Sequence, residues 1–226
     1  MPGLVTPILP KIDKTSTWKP KISKRTRSFF DSLSTSEFPL EAQDNLLNET
    51  YRILSSCHDP NDKYSDRTTG LIVGKVQSGK TTSFKALSMM AMDNGFNLII
   101  LLAGRTHLLI DQNKDEFKKL NDSISHKFMI GSVKNLRDWK NVVSANIPRI
   151  SGSGENPSTP LILITNKHAG HIKKIASELN DFREDLESIN TLIIDDEADN
   201  ASLNTSKKND DYSASAIYKS IKKLRM

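Results

Sequence analysis

Residues 74–81 constrain this chain more than any other stretch, because they match the phosphate-loop pattern G-x-x-x-x-G-K-[ST] without a mismatch. Glycines in such a loop let the backbone fold tightly, so that successive N–H groups point at phosphate oxygens. The apolar run at residues 71–73 predicts a strand before the loop, and helical spacing afterwards predicts a helix to about Asp93. The positive end of that helix would add to the attraction. A glycine-serine surface turn before an ordinary helix is the alternative.

The predicted nucleotide contacts are seven residues of this loop and of the helical turn that follows it. They are Gly74, Gln77, Ser78, Gly79, Lys80, Thr81 and Thr82. We expect Lys80 to reach the β- and γ-phosphates of a bound triphosphate, and the Thr81 hydroxyl to hold Mg²⁺.

The rest of the sequence alternates apolar runs with helical patterns. Strands are predicted at residues 97–103, 127–130, 161–165 and 191–194, with helices between them. This alternation predicts an α/β fold with a parallel, three-layer sheet. Ligands of such sheets bind at the carboxyl ends of the strands, and both the 74–81 loop and the acidic residues 195–199 are predicted to lie there.

Acidic residues follow the last predicted strand: Asp195, Asp196, Glu197 and Asp199. A phosphate-loop enzyme needs one acid here to hold Mg²⁺ through water and one base to orient the attacking water. By position, Asp196 is assigned to the metal and Glu197 to the water, with Lys80 as the other catalytic residue. Asp195 and Asp199 are possible substitutes. Together with the phosphate loop these acids indicate hydrolysis of a nucleoside triphosphate; a binder that does not hydrolyse is the alternative.

The formal net charge of +5 is concentrated at the two ends of the sequence. Residues 1–27 contain seven basic residues and one acidic residue, and residues 207–226 contain six basic and two acidic ones. We expect residues 1–38 to form a basic, largely disordered arm with a short helix near residues 26–33, and residues 39–226 to form the nucleotide-binding lobe. Such an arm either contacts nucleic-acid phosphates or is a solvated tail.

Apolar runs stay well below the roughly 20 residues that span a bilayer, so no membrane partner is expected. The sequence also lacks a signal-peptide pattern at its start. Cys57 is the single cysteine, which favours a half-buried thiol in a reducing cytoplasm over a disulfide framework.

Residues 196–199 spell Asp-Glu-Ala-Asp, the motif of DEAD-type superfamily II helicases. Three longer strings, at residues 70–82, 98–104 and 192–202, are similar to the helicase-like ATPase region of the Z-one-domain endonuclease family of bacteria. The resemblance covers about residues 40–224. It implies a RecA-like first lobe that uses ATP and Mg²⁺ and acts on DNA through its backbone, in restriction or phage defence.

One departure from that family concerns nucleic-acid contacts. Residues 109–113 lack the arginine that the family carries after its second strand, and Arg105 and Thr106 are the nearby candidates for the backbone contact. Trp18 and Trp139 are candidates for stacking on bases, with packing as the simpler interpretation. His168 and His171 have a spacing that suits a metal, but the sequence shows no further ligand.

Superfamily II motors hydrolyse ATP between two RecA-like lobes, and the second lobe supplies arginines for the transition state. The sequence ends before a second lobe. By resemblance it also ends before a strand that would insert between the phosphate-loop strand and the Asp196 strand. We therefore expect a fragment or half of a split protein, completed by a second lobe or a partner subunit. The alternatives are a truncated module that binds nucleotide or a partner without turnover, and a signalling NTPase that uses no nucleic acid.

Overall fold

The structure is a computed structural model that describes residues 6–8, 18–62, 69–73, 79–104, 106–134, 142, 144–152, 157–181, 189–196, 198 and 216–224. The helices within these residues are α1 (Lys24–Asp31), α2 (Leu40–Ser55), α3 (Lys80–Asp93), α4 (His107–Ser123), α5 (Ile147–Ser151), α6 (Ala169–Asp181) and α7 (Ala216–Leu224). The strands are β1 (Thr6–Ile8), β2 (Leu71–Val73), β3 (Phe96–Ala103), β4 (Met129–Val133), β5 (Leu161–Thr165) and β6 (Asn190–Asp196).

The chain divides into two compact units. One unit contains Met1–Phe96 and Lys119–Lys127, and the other contains Asn97–Lys118 and Phe128–Met226. Residue 38, where the sequence predicts the boundary between the arm and the nucleotide-binding lobe, lies inside the first unit. That boundary remains a prediction.

A four-stranded parallel sheet forms the centre of the second unit, with the strand order β4-β5-β3-β6. Ile162 of β5 lies opposite Ile99 of β3 on one side and opposite Ile130 of β4 on the other. Parallel strands need long crossover connections, which the predicted alternation of strands and helices supplies. The α/β class and the parallel sheet are therefore confirmed.

Both faces of the two central strands are buried. All five residues of β5 are buried, as are seven of the eight residues of β3. One face packs against isoleucines of α5, α6 and α7: Ile147, Ile150, Ile172, Ile175, Ile217 and Ile221. Burial of each such side chain contributes about 2 kcal/mol, which explains why the strands are almost wholly apolar.

The first unit is built on α3, against which α1 and α2 both pack. The α3 residues from Ala86 to Met92 are all buried. Phe29 of α1 and Leu46 and Leu54 of α2 are buried as well. Because α3 is buried around its whole circumference in this stretch, it needs neighbours on several sides.

The phosphate-loop strand does not belong to the four-stranded sheet, and this corrects the sequence prediction. β2 is a strand, as expected, but it pairs antiparallel with β1, with Pro7 opposite Ile72. A short strand must satisfy its backbone N–H and C=O groups, and residues 6–8 do so. The scattered prolines of residues 1–10 hid this pairing, although proline is tolerated on an edge strand.

The predicted disordered arm also needs correction from residue 18 onward. The short helix expected there is confirmed as α1, but it is packed, with Thr26 and Phe29 at 0% and 1% exposure. Burial of the Phe29 ring favours an ordered helix over an extended tail. Residues 9–17 lie outside the described part of the chain. No helix among the described residues is long and apolar enough to cross a membrane.

Candidate functional site

The described part of the phosphate loop begins at Gly79, directly before α3. Gly74, Gln77 and Ser78 lie outside the described residues. Gly79 has a φ of 75°, in the left-handed region that favours glycine. A Cβ atom at Gly79 would meet no atom within 4 Å, so backbone conformation and not crowding explains why glycine stands here.

Gly79, the N-cap residue of α3, has no side chain that could cap the helix, and no described side chain caps it. Its first helical hydrogen bond runs from the Ser83 N–H to the Gly79 carbonyl oxygen at 3.1 Å. The N–H groups of Lys80, Thr81 and Thr82 precede that bond and therefore have no acceptor within the helix. Thr81 is exposed, whereas Lys80 and Thr82 are half-buried. Uncapped amides at the positive end of a helix form a suitable site for phosphate oxygens.

The second unit places acidic residues at the carboxyl end of β6. Asp195 and Asp196 are the last two residues of the strand, and both are half-buried. Glu197 and Asp199, the predicted water-orienting base and its neighbour, lie outside the described residues.

Lys167 links the acidic strand to the rest of the sheet edge. Its ammonium nitrogen lies 2.7 Å from Oδ1 of Asp195, and its side chain is 0% exposed. Its backbone N–H donates to the Gly104 carbonyl oxygen at 2.6 Å. Because Gly104 follows β3 and Lys167 follows β5, these contacts hold the carboxyl ends of β3, β5 and β6 together.

Polar contacts continue along the same edge at the ends of β4 and β5. Lys134 pairs with the Asp111 carboxylate at 2.6 Å, and the Thr165 hydroxyl donates to the Val133 carbonyl oxygen at 3.1 Å. The carboxyl edge of this sheet is therefore its polar end, in contrast to the apolar interior of β3 and β5.

The two histidines with metal-like spacing lie close together, with ring centroids 4.9 Å apart. Nδ1 of His171 lies 2.7 Å from the Asn166 side-chain oxygen. No group of three or more His, Cys, Asp and Glu side chains suited to a metal occurs among the described residues. The fixed position of His171 is explained by its hydrogen bond to Asn166.

The predicted Mg²⁺ ligands are divided between the two units. Thr81 belongs to the first unit and Asp196 to the second. A phosphate-loop Mg²⁺ is bound by few protein ligands, since phosphates and waters complete its coordination. The donor types of this pair, a hydroxyl and a carboxylate, therefore suit Mg²⁺ without a cluster of acids.

Sequence reasoning missed Lys167, although a signal was present. Lys167 stands two residues after the apolar run 161–165, at the carboxyl end of a predicted buried strand, which is where ligands of parallel sheets bind. Arg105, a predicted nucleic-acid contact, lies outside the described residues. Thr106 is exposed, and its hydroxyl accepts the Leu109 N–H at 3.4 Å at the start of α4.

Cys57 is half-buried, as predicted. Burial raises the pKa of its thiol from 9.0 to about 11, so at neutral pH the thiolate is a minute fraction. This argues against a nucleophilic role for Cys57.

Comparisons of the chain with protein-family models, with curated proteins and with solved structures find no match. The likeness to superfamily II helicases therefore stays a resemblance carried by short motifs.

Proposed function

We propose that this chain is the ATP-binding and ATP-hydrolysing first lobe of a superfamily II helicase-like DNA translocase. In this proposal the α3 N-terminus and the 74–78 loop bind the triphosphate, and Lys80 contacts its β- and γ-phosphates. Thr81 and Asp196 hold Mg²⁺, and Glu197 orients the attacking water. The resemblance in the motifs adds a role in restriction or phage defence in the bacterial cytoplasm.

The observation that carries this proposal is the start of α3. A left-handed glycine, which has no side chain to cap the helix, leads directly into α3, whose second residue is the Thr81 of the phosphate-loop pattern. The N–H groups at this terminus lack helical acceptors, which suits phosphate oxygens. A surface turn of the same composition would not need a lysine and an accessible hydroxyl at these two positions.

The acidic end of β6 supports the hydrolytic part of the proposal. Asp196 ends a strand of a parallel sheet, which is where such sheets place their reactive groups. Lys167 pairs with Asp195, so the carboxylate adjacent to Asp196 is already committed to an ion pair. The choice of Asp196 as the acid for Mg²⁺ rests on its position as the last residue of β6. When bound, Mg²⁺ neutralises charge on the phosphate oxygens.

DNA-stimulated ATPase activity is the direct test, measured on a longer protein with a second lobe or on this chain with its partner subunit. We expect Lys80→Ala to reduce that activity at least a hundredfold, with Lys173→Ala on the exposed face of α6 as the matched control. Full activity of Lys80→Ala contradicts the proposal. Activity that is independent of DNA at every salt concentration favours the signalling NTPase.

A second candidate is a module that binds nucleotide or a partner without turnover. The observation in its favour is the pairing of β2 with β1, outside the sheet that contains the acidic strand. Hydrolysis needs the phosphate loop and the acids together, and in RecA-like lobes both follow strands of one sheet. Steady multiple turnover by residues 1–226 alone excludes this candidate, whereas tight ATP binding without turnover supports it.

A further inference from the structure

We propose that residues 18–27 form a binding site for single-stranded nucleic acid, with Trp18 as the stacking platform and four exposed basic side chains as phosphate contacts. The proposal rests on the proposed function only for the choice of nucleic acid as partner. Binding at this site needs no nucleotide, so the two proposals are tested separately.

The start of this segment is held in place by side chains of the first unit. The Trp18 indole N–H donates to the Cys57 carbonyl oxygen at 2.8 Å. The side-chain amide of Asn94 accepts the Lys21 N–H at 2.6 Å and donates to the Lys21 carbonyl oxygen at 2.9 Å. Both hydrogen bonds use backbone atoms of Lys21, and its side chain is exposed.

The end of the segment is held by Asp93 at the C-terminus of α3. Its carboxylate accepts the backbone N–H groups of Arg25 and Thr26 at 3.1 and 2.8 Å, and the Thr26 hydroxyl at 2.8 Å. Asp93 therefore caps the N-terminus of α1 from another helix. A segment fixed at both ends loses little conformational entropy when a ligand binds.

Four basic side chains of this fixed segment are exposed: Lys19, Lys21, Lys24 and Arg27. Among the described residues, none of the four has an ion-pair partner. Lys24 and Arg27 are three residues apart in α1, so they lie on one face of the helix. Four uncompensated positive charges on one segment favour a polyanion as ligand.

A groove of about 400 Å³ lies beside these charges. The lining residues that bear on ligand binding are Trp18, Lys19, Lys21, Asp59 and Asp93. Trp18 is half-buried and lines this groove, and its indole N–H is fixed by a hydrogen bond, so the orientation of its ring is set before any ligand binds. An oriented aromatic ring beside basic residues is the combination by which proteins bind unpaired bases.

The charges of the groove decide between a base and a phosphate as its occupant. Asp59 and Asp93 both line the groove, and their negative charges disfavour a phosphate there. The Asp93 carboxylate already caps α1, whereas a carboxylate such as that of Asp59 accepts an N–H group on the edge of an unpaired base. The phosphates therefore belong outside the groove, on the four basic side chains. Bases of a duplex are stacked and paired and do not reach such a groove, so the site fits a single strand.

Fluorescence of Trp18 gives a direct test, because the chain contains two tryptophans and Trp139→Phe leaves Trp18 alone. A twelve-residue oligothymidylate is titrated into this variant at 50 mM salt without nucleotide. We expect saturable quenching, with a slope of log K against log salt of about −2.8 for four phosphate contacts. Binding without quenching, or equal binding of a blunt twelve-base-pair duplex, overturns the proposal.

Two sets of variants with the same charge change locate the contacts. The test variant changes the four basic residues of the segment to Gln: Lys19, Lys21, Lys24 and Arg27. The control variant changes four exposed lysines of the second unit to Gln: Lys118, Lys173, Lys219 and Lys223. We expect the test variant to bind at least tenfold more weakly, with a slope near zero, and the control to keep the parent slope. Equal losses in the two variants overturn the proposal.

Trp18→Leu tests the stacking contact. Its binding is measured by the anisotropy of a labelled oligothymidylate. A loss of roughly 10- to 100-fold in affinity is expected for one stacked base. Should this variant unfold, the quenching experiment still decides, since it uses an intact Trp18. ATP binding by the same preparations reports separately on the proposed function, so failure of one proposal is distinguishable from failure of the other.

Discussion

The ammonium group of Lys167 lies 2.7 Å from the Asp195 carboxylate, at the point where two parallel strands end. The Lys167 side chain has no exposed surface, and that of Asp195 is 20% exposed. A fully buried charge is tolerated when a group of opposite sign lies beside it, and the Asp195 carboxylate provides such a group for Lys167.

Lys167→Met is expected to lower the free energy of unfolding by about 3 kcal/mol, because it leaves the half-buried Asp195 carboxylate without its cation. Urea denaturation followed by circular dichroism measures this loss. Lys173→Met is the control on an exposed position of α6, where a change within about 0.5 kcal/mol is expected.

The same pair allows a double-mutant cycle. Lys167→Met combined with Asp195→Asn removes both charges. We expect the double variant to lose about 1–3 kcal/mol less unfolding free energy than the sum of the losses in the two single variants. Strict additivity of the two substitutions would show that the ion pair does not contribute to stability.

Asp93→Ala removes the acceptor for three donors of α1, and we expect a loss of about 2 kcal/mol. Arg25 loses its partner as well: burial lowers the pKa of its guanidinium, and the Asp93 carboxylate acts in the opposite direction. Asp93→Asn retains a capping oxygen and should lose less. Hydrogen exchange at the Arg25 and Thr26 amides measures the cap itself. Asp31→Ala, an exposed acid at the other end of α1, should leave both quantities unchanged.

We expect the free energy of unfolding to fall at high pH because of Cys57, since burial raises the pKa of its thiol to about 11. The unfolded chain ionises this thiol near 9 while the folded chain keeps it neutral. The contribution of the neutral thiol to the free energy of unfolding is therefore complete below about pH 9, and it is lost as the pH rises towards 11. Unfolding measured from pH 7 to 11 should show a flatter profile for Cys57→Ala. An alkylating reagent at pH 8 should label the native chain far more slowly than the unfolded chain.

Gly79→Ala should destabilise the first unit by about 1 kcal/mol, because alanine at a φ of 75° is strained even where the space is open. Gly70→Ala is the matched control, since a Cβ there also meets nothing within 4 Å and the backbone is not in the left-handed region. Equal stability of the two variants would contradict a left-handed conformation at Gly79.

The parallel sheet was predictable because strands buried on both faces leave continuous apolar runs. Residues 97–103 and 161–165 are such runs, and they became β3 and β5. The start of α3 was predictable for a similar reason, since the glycine-lysine-threonine pattern fixes where the helix begins. In these places local sequence and tertiary structure require the same conformation.

Tertiary contacts decided the features that the sequence did not reveal. The capping of α1 joins Asp93 to residues 25 and 26, and the ion pair joins Lys167 to Asp195. Neither contact leaves a periodic pattern, because each links residues far apart in the chain. The pairing of β2 with β1 also joins residues far apart in the chain, and its three residues per strand are too few to show an alternation.

Nucleotide binding by the 226-residue chain tests the central claim most directly. A fluorescent ATP analogue is titrated with Mg²⁺ into the unaltered chain, Lys80→Ala and Lys173→Ala. We expect saturable binding that unlabelled ATP displaces, a 10- to 100-fold loss in Lys80→Ala from one charge-assisted contact, and no change in Lys173→Ala. Equal affinity of Lys80→Ala and the unaltered chain, or no binding by the folded chain, would contradict a triphosphate site at the start of α3.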